Sequence, residues 1–138
     1  LKTATGGLWD ALAAFGRDHS IWGICAGCIL MAEKATHPDQ DAFGFLPMDV
    51  VRNAYGAQDQ SHVAPLAVDL AGARIEVEGI FIRSPAITRV GDGARVLATH
   101  RDQPVMVESD RHLATTFHPE LTPHADLHRY FLDKSAAN

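Results

Sequence analysis

Apolar positions along the chain recur first at helical spacing and later at strand spacing. Leu8, Leu12 and Phe15 fall four and three residues apart between the Gly6-Gly7 pair and Gly16, an interval that keeps side chains on one face of a helix. A strand follows at Ile21 to Ile24. Ile29, Leu30 and Ala32 to Ala35 then predict a second helix, which His37-Pro38 stops, and Asp39 to Asp41 reads as a solvated loop. Short β-branched and apolar runs dominate the next half. They predict strands over Met48 to Asn53, Arg74 to Ile82, Ala86 to Val90, Arg95 to His100, Pro104 to Glu108 and His112 to Phe117, separated by Gly- or Asp-rich turns. A closing helix covers roughly Pro123 to Leu132. Strand and helix alternation at the front with hairpin-like strands behind predicts an α/β sheet bearing an antiparallel extension. No repeat, low-complexity segment or internal linker interrupts the 138 residues, which read as one domain.

The chemistry suggested by the chain is concentrated at the first strand-to-helix junction. In Trp22-Gly23-Ile24-Cys25-Ala26-Gly27-Cys28-Ile29-Leu30 a cysteine sits between an apolar strand and a helix, with glycines two before and two after it. Such glycines permit the sharp turn of a nucleophile elbow. The helix N-terminus favours thiolate over thiol. An ordinary thiol of pKa about 8.5 is only about 3% ionised at pH 7, and lowering that pKa by about two units raises the thiolate fraction roughly 25-fold. A helix dipole alone rarely supplies so much, so a histidine partner is expected. Of eight histidines, His118 stands out in Thr116-Phe117-His118-Pro119-Glu120-Leu121-Thr122, just past a predicted strand. Pro119 biases His118 toward an extended conformation, in which His118 and Glu120 would point the same way. His118 would then shuttle the proton of Cys25, and Glu120 would hold the imidazole in one tautomer.

A GxCxG elbow followed much later by a strand ending in His-Pro-Glu resembles the class I glutamine amidotransferases. Further strings narrow the likeness to the glutaminase subunits of pyridoxal 5'-phosphate synthases: Arg52-Asn53-Ala54-Tyr55-Gly56-Ala57-Gln58, Gly79-Ile80-Phe81-Ile82-Arg83-Ser84-Pro85 and His128-Arg129-Tyr130-Phe131-Leu132. The resemblance runs from about Gly23 almost to the C-terminus. It implies a flavodoxin-like sheet with helices on both faces and hydrolysis of L-glutamine to glutamate and ammonia. It also implies a synthase subunit as partner in a hetero-oligomer, to which the ammonia passes. By the same resemblance Cys25 matches the nucleophile, His118 and Glu120 its partners, Ala26 an oxyanion-binding amide, and Arg52, Ile82 and Arg83 positions lining the glutamine site. The family's first strands, and a glycine-rich loop giving a second oxyanion donor, have no convincing copy between Leu1 and Gly23, where Gly6-Gly7 is a faint echo. Loss of one such donor typically costs about 3 to 4 kcal/mol of transition-state stabilisation, so the chain alone is expected to be weakly active or inactive. Cys28 stands where the family usually has an apolar residue.

Composition removes other classes of function. A formal net charge of -5 and a pI near 5.8 argue against a nucleic-acid partner held by phosphate neutralisation. The apolar stretches are far short of the roughly 18 residues a membrane helix needs, and no secretory pattern opens the chain. Two cysteines three positions apart suit a reducing compartment, so a cytoplasmic location is expected. The implied hydrolysis requires no metal or organic cofactor. His124 and His128, four apart on the last predicted helix, lack an evident third ligand and are read as solvent-facing. Two other readings stay open. Cys25-Ala26-Gly27-Cys28 is a C-x-x-C at a helix start, the arrangement of a thiol-disulfide exchanger with Cys28 as resolving thiol. Alternatively, the chain is a catalytically silent module that docks on the synthase.

Overall fold

The computed structural model describes residues 6–54 and 61–137; the Tyr55-Gly56-Ala57-Gln58 part of the string that begins at Arg52 lies outside them. The elements run α1 (Leu8–Asp18), β1 (Trp22–Ile24), α2 (Ala26–Met31), β2 (Lys34–Thr36), β3 (Met48–Val51), β4 (Ser61–Leu70), β5 (Ala73–Ile82), β6 (Ala86–Val90), β7 (Arg95–His100), β8 (Gln103–Glu108), β9 (Leu113–Thr115) and α3 (Asp126–Ala136), with a 3-10 turn at Pro119–Leu121 before the last helix.

A four-stranded sheet in the order β1-β9-β8-β7 forms the middle layer. Only β1 and β9 run parallel in it, in the register Trp22↔Leu113, Gly23↔Ala114 and Ile24↔Thr115; the remaining pairs are antiparallel. Apolar side chains leave this sheet on both faces. Leu113 and Met106 join the β4–β5 hairpin residues Leu66, Val68 and Phe81, together with Leu127 of α3, in one core. Ala114 and Val107 join Cys28 and Met31 of α2, Met48 and Val50 of β3 and Ile87 of β6 in the other. β9 is buried on both sides, which is why its sequence is continuously apolar or small where a half-exposed strand would alternate. The expected α/β sheet with a helix on each face and antiparallel strands beyond it is therefore the arrangement observed. A second sheet, β2-β3-β6, and the β4–β5 hairpin close over the two faces.

Three differences from the pattern reading have physical causes. The second helix stops at Met31, and the alanine-rich continuation becomes strand β2, where Ala35 pairs with Val50 of β3 and is 3% exposed. Tertiary pairing here overrides a good helical propensity. Ser61–Leu70, which carries Pro65 and is not assigned to an element by pattern, forms β4; its free outer edge tolerates a residue without an N–H. Finally, Leu8, Leu12 and Phe15 do share a helical face, but that face is exposed, and α1 packs instead through Trp9, stacked on Phe43 at 4.0 Å, and through Gly16 under Phe45. No helix among the described residues is long and apolar enough to cross a membrane.

The last helix is pinned to the sheet by one buried carboxylate. Glu108, 5% exposed, accepts hydrogen bonds from Arg95 Nε at 3.0 Å, from the Tyr130 hydroxyl at 2.5 Å and from Lys134 Nζ at 3.3 Å. Burial, then the hydrogen bond to Glu108, push the Tyr130 phenol up to about 12. Breaking a buried ion pair by removing one member strands the other, so Glu108→Ala is expected to cost about 3 kcal/mol and Tyr130→Phe about 1 kcal/mol. Urea unfolding measures both; losses below about 0.5 kcal/mol for each would show that the network does not hold the helix.

Candidate active site

Cys25 stands at the point where β1 gives way to α2, with φ 53° and ψ -104°. A non-glycine residue in that region is strained by about 1 to 3 kcal/mol and persists only where its surroundings over-determine it. Two constraints do so here. The Cys25 N–H donates to the Thr115 carbonyl at 2.8 Å, extending the β1–β9 ladder by one residue. Behind it, Gly23 is pressed under α2: a Cβ at that position would lie 2.5 Å from the Gly27 carbonyl oxygen and 2.5 Å from Met31 Cγ. The two glycines of the elbow are thus not equivalent. Gly23 is needed for close approach of strand and helix, whereas a Cβ on Gly27 would meet nothing within 4 Å.

The half-buried thiol donates to the Ile82 carbonyl, with Sγ 3.7 Å from the oxygen. Burial raises the Cys25 pKa, the Ala26 backbone N–H opposes that rise, and the Glu120 carboxylate adds to it. This corrects the expectation of a thiol already shifted toward thiolate. α2 is a single six-residue helix, too short to outweigh desolvation, and the thiol's hydrogen bond goes to a carbonyl, which favours the protonated form. Cys28, at 0% exposure, is a core residue whose thiol is driven up to about 12 by burial.

His118 reaches the same end of the sheet from β9. Its N–H donates to the Ile80 carbonyl at 2.8 Å, tying it to β5 two residues before Ile82. Just upstream, the Thr115 hydroxyl accepts from the Trp22 indole at 3.2 Å and donates to the Phe117 carbonyl at 3.2 Å, so a side-chain relay sets the direction in which the chain leaves the strand. Sequence pattern does not single out Thr115; its only signal there is a hydroxyl inside an apolar run. His118 Nδ1 lies 2.7 Å from Glu120 Oε2. The pair meets across the 3-10 turn at Pro119–Leu121 and not along an extended segment, with Thr122 Oγ1 donating to the Pro119 carbonyl at 3.0 Å to close it. With Nδ1–H held by the carboxylate, Nε2 is left as the basic nitrogen.

Cys25, Ile82, His118 and Glu120 therefore converge. Arg83 follows Ile82 in the left-handed region, φ 46°. Arg52 stands apart from the thiol's immediate contacts: its N–H donates to the Thr36 carbonyl at 2.9 Å and its Nη1 to the Pro38 carbonyl at 3.2 Å, beside a depression shared with Asp39, Gln40 and Asp41. His124 is exposed ahead of α3, while His128 is half-buried with its ring 5.1 Å from that of Trp22. His128 is thus a packing residue, contrary to the solvent-facing expectation. No group of three or more metal-ligating side chains occurs among the described residues.

Comparison with known proteins places this geometry in context. Residues 2–137 match the SNO glutamine amidotransferase family. The chain is 45% identical over 131 residues to the pyridoxal 5'-phosphate synthase subunit PdxT of Solibacter usitatus, covering 92% of this chain and 68% of that one. It is also 45% identical over 133 residues to the same subunit of Deinococcus radiodurans, at 92% and 67%. A crystal structure of a glutamine amidotransferase superposes with a TM-score of 0.85 at 38% identity, over 94% of this chain and 69% of that one.

Two outcomes follow from the elbow and the thiol. Gly23→Ala is expected to destabilise the protein by about 1 to 3 kcal/mol through overpacking, while Gly27→Ala is expected to leave stability unchanged or raise it by up to about 1 kcal/mol; equal effects in thermal unfolding would remove the asymmetry. In iodoacetamide alkylation followed against pH, Cys25 is expected to react with a midpoint above that of an ordinary thiol. Glu120→Gln should move that midpoint down, because it removes a negative charge that opposes the thiolate, and a rise in the variant would reverse the assignment.

Proposed function

The chain belongs to the SNO glutamine amidotransferase family, and from that membership we propose that it is the glutaminase subunit of a pyridoxal 5'-phosphate synthase, hydrolysing L-glutamine to L-glutamate and ammonia. The observation that carries the reading is the left-handed Cys25 at the end of β1 beside a His118–Glu120 pair held at 2.7 Å. Relatives at 45% identity named as PdxT support it.

In this proposal Cys25 Sγ attacks the carboxamide carbon of glutamine, forming a C–S bond, while His118 Nε2 takes the thiol proton. The developing oxyanion faces the Ala26 N–H. His118 then gives its proton to the departing nitrogen as the C–N bond breaks, and ammonia leaves a thioester. A water molecule, giving a proton to His118, attacks the thioester; the C–S bond breaks and glutamate departs with the thiol restored. Glu120 holds the imidazole tautomer throughout. Arg52 and Arg83 supply charge for the α-carboxylate of glutamine, and the Ile82 backbone orients its amino group.

The thiol's hydrogen bond to the Ile82 carbonyl gives a reason for coupling to a partner. A protonated nucleophile hydrogen-bonded to the Ile82 carbonyl is at rest, and docking of the synthase subunit that receives the ammonia would release it. Residues 1–138 form part of a single glutaminase domain, and two free cysteines fit a cytoplasmic location. Thiol-disulfide exchange is disfavoured because the Cys28 thiol is fully buried and driven up to about 12.

The test is covalent trapping with a diazoketone analogue of glutamine in the presence of the synthase subunit, read by mass spectrometry, alongside glutamate release. Labelling of Cys25 that L-glutamine blocks, and that falls at least about a hundredfold in His118→Asn, is expected. Cys25→Ala should lose both labelling and glutamate release. Synthase binding without any labelling of Cys25 would leave the silent docking module as the function.

A further inference from the structure

The peptide unit that joins Phe117 to His118 is held at both of its ends. Its N–H, that of His118, donates to the Ile80 carbonyl at 2.8 Å, and its carbonyl, that of Phe117, accepts from the Thr115 hydroxyl at 3.2 Å. The hydroxyl in turn accepts from the Trp22 indole at 3.2 Å. A hydroxyl has one proton to give, and a donor placed on its lone pair turns that proton away from the indole and toward the carbonyl. Thr115 and Phe117 are both at 0% exposure, so bulk water does not compete for the bond between them.

Thr115 also serves the other half of the site. Its carbonyl accepts the Cys25 N–H at 2.8 Å. Trp22, three residues before that cysteine, is held by ring contacts with His128 and Phe131 of α3 at 5.1 and 5.6 Å. One residue therefore reaches the backbone of the nucleophile through its carbonyl and the backbone leading to the base through its hydroxyl. β-Branching limits the Thr115 side chain to few rotamers, which keeps the hydroxyl between its two partners. Resting on the glutaminase reading, we propose that Thr115 is a positioning residue of the reaction: its hydroxyl, oriented by the Trp22 indole, sets the direction from which His118 meets the Cys25 thiol.

A positioning role and a merely structural one differ in what they predict. Removing the hydroxyl deprives the Trp22 indole N–H and the Phe117 carbonyl of this partner, which lowers stability in either case. Positioning alone makes the rate of fully folded protein depend on the hydroxyl, because a base displaced by about an ångström loses about a hundredfold in rate. Glutamine binding does not use the imidazole in this scheme, so the loss falls on kcat and leaves KM in place.

The test measures glutamate release from L-glutamine by the chain in complex with the synthase subunit. Thr115→Val keeps the shape and removes the hydroxyl, whereas Thr115→Ser keeps the hydroxyl and removes a buried methyl. Thr115→Val is expected to lower kcat at least about tenfold with KM within about twofold of wild type. Thr115→Ser is expected to stay within about threefold in kcat although its Tm falls by about 2 to 6 °C, so the pair separates rate from stability. The Trp22 indole N–H resonance reports the relay itself, shifting in Thr115→Val and keeping its place in Thr115→Ser. Should Thr115→Val not fold, Trp22→Phe, which removes the orienting donor, is expected to lower kcat about threefold or more. Wild-type kcat in Thr115→Val, or in Trp22→Phe where that variant takes its place, would overturn the positioning role and leave Thr115 a stabilising residue. So would a loss confined to KM, or a loss in Thr115→Ser as large as in Thr115→Val. No glutamate release from the wild-type complex would instead overturn the glutaminase reading, and the positioning role with it, so the wild-type control tells the two failures apart.

Discussion

The parallel pairing of Trp22–Ile24 with Leu113–Thr115 is the contact on which the site depends. It joins segments about ninety residues apart, and every catalytic candidate except the Ile82 turn hangs from its end. Continuing the ladder by one bond, from the Cys25 N–H to the Thr115 carbonyl, forces the cysteine into its left-handed conformation just as α2 begins. On the other strand the Thr115 hydroxyl turns the chain toward His118. Parallel strands cannot be joined by a short loop, so most of the chain lies between the two halves of the site. The site is accordingly a property of the completed fold, and disruption of the core on either face of β9 should be felt there.

Strain and burial both act on the same thiol. A cysteine at positive φ, half-buried, with a carboxylate close enough to oppose its ionisation, is shifted toward its protonated form. The His118–Glu120 pair is held at 2.7 Å, while the thiol's hydrogen bond is to the Ile82 carbonyl. The thiol and the imidazole thus each bond to a different partner at the same end of the sheet. The turn from Ile82 to Pro85 follows Phe81, a core residue of the hairpin, and ends on a proline that is itself buried.

Much of this is legible in the chain, and the parts that are not share a cause. The elbow, the His-Pro-Glu string and most strand positions are local signals: glycine and proline placement, β-branched runs, a nucleophile beside a helix start. β2 is hidden because Ala32 to Ala35 is good helical sequence that becomes strand only through pairing with β3. β4 is hidden by Pro65, which is tolerated only because the hairpin has a free edge. Likewise the apolar stripe Leu8, Leu12 and Phe15 is correctly helical, but its periodicity does not say which neighbours it meets, and α1 packs through Trp9 and Gly16.

By itself the sequence determined the candidate nucleophile, its candidate partners, the class of fold and the order of most elements, because each depends on residue type at short spacing. Only the tertiary structure decided that Gly23 and not Gly27 is sterically required, that the thiol is pushed toward its protonated form, and that the Trp22 indole meets the Thr115 hydroxyl. The reason is the same in each case. Close approach, desolvation and buried hydrogen bonds are relations between residues distant in the chain, and they exist only once the strands have paired.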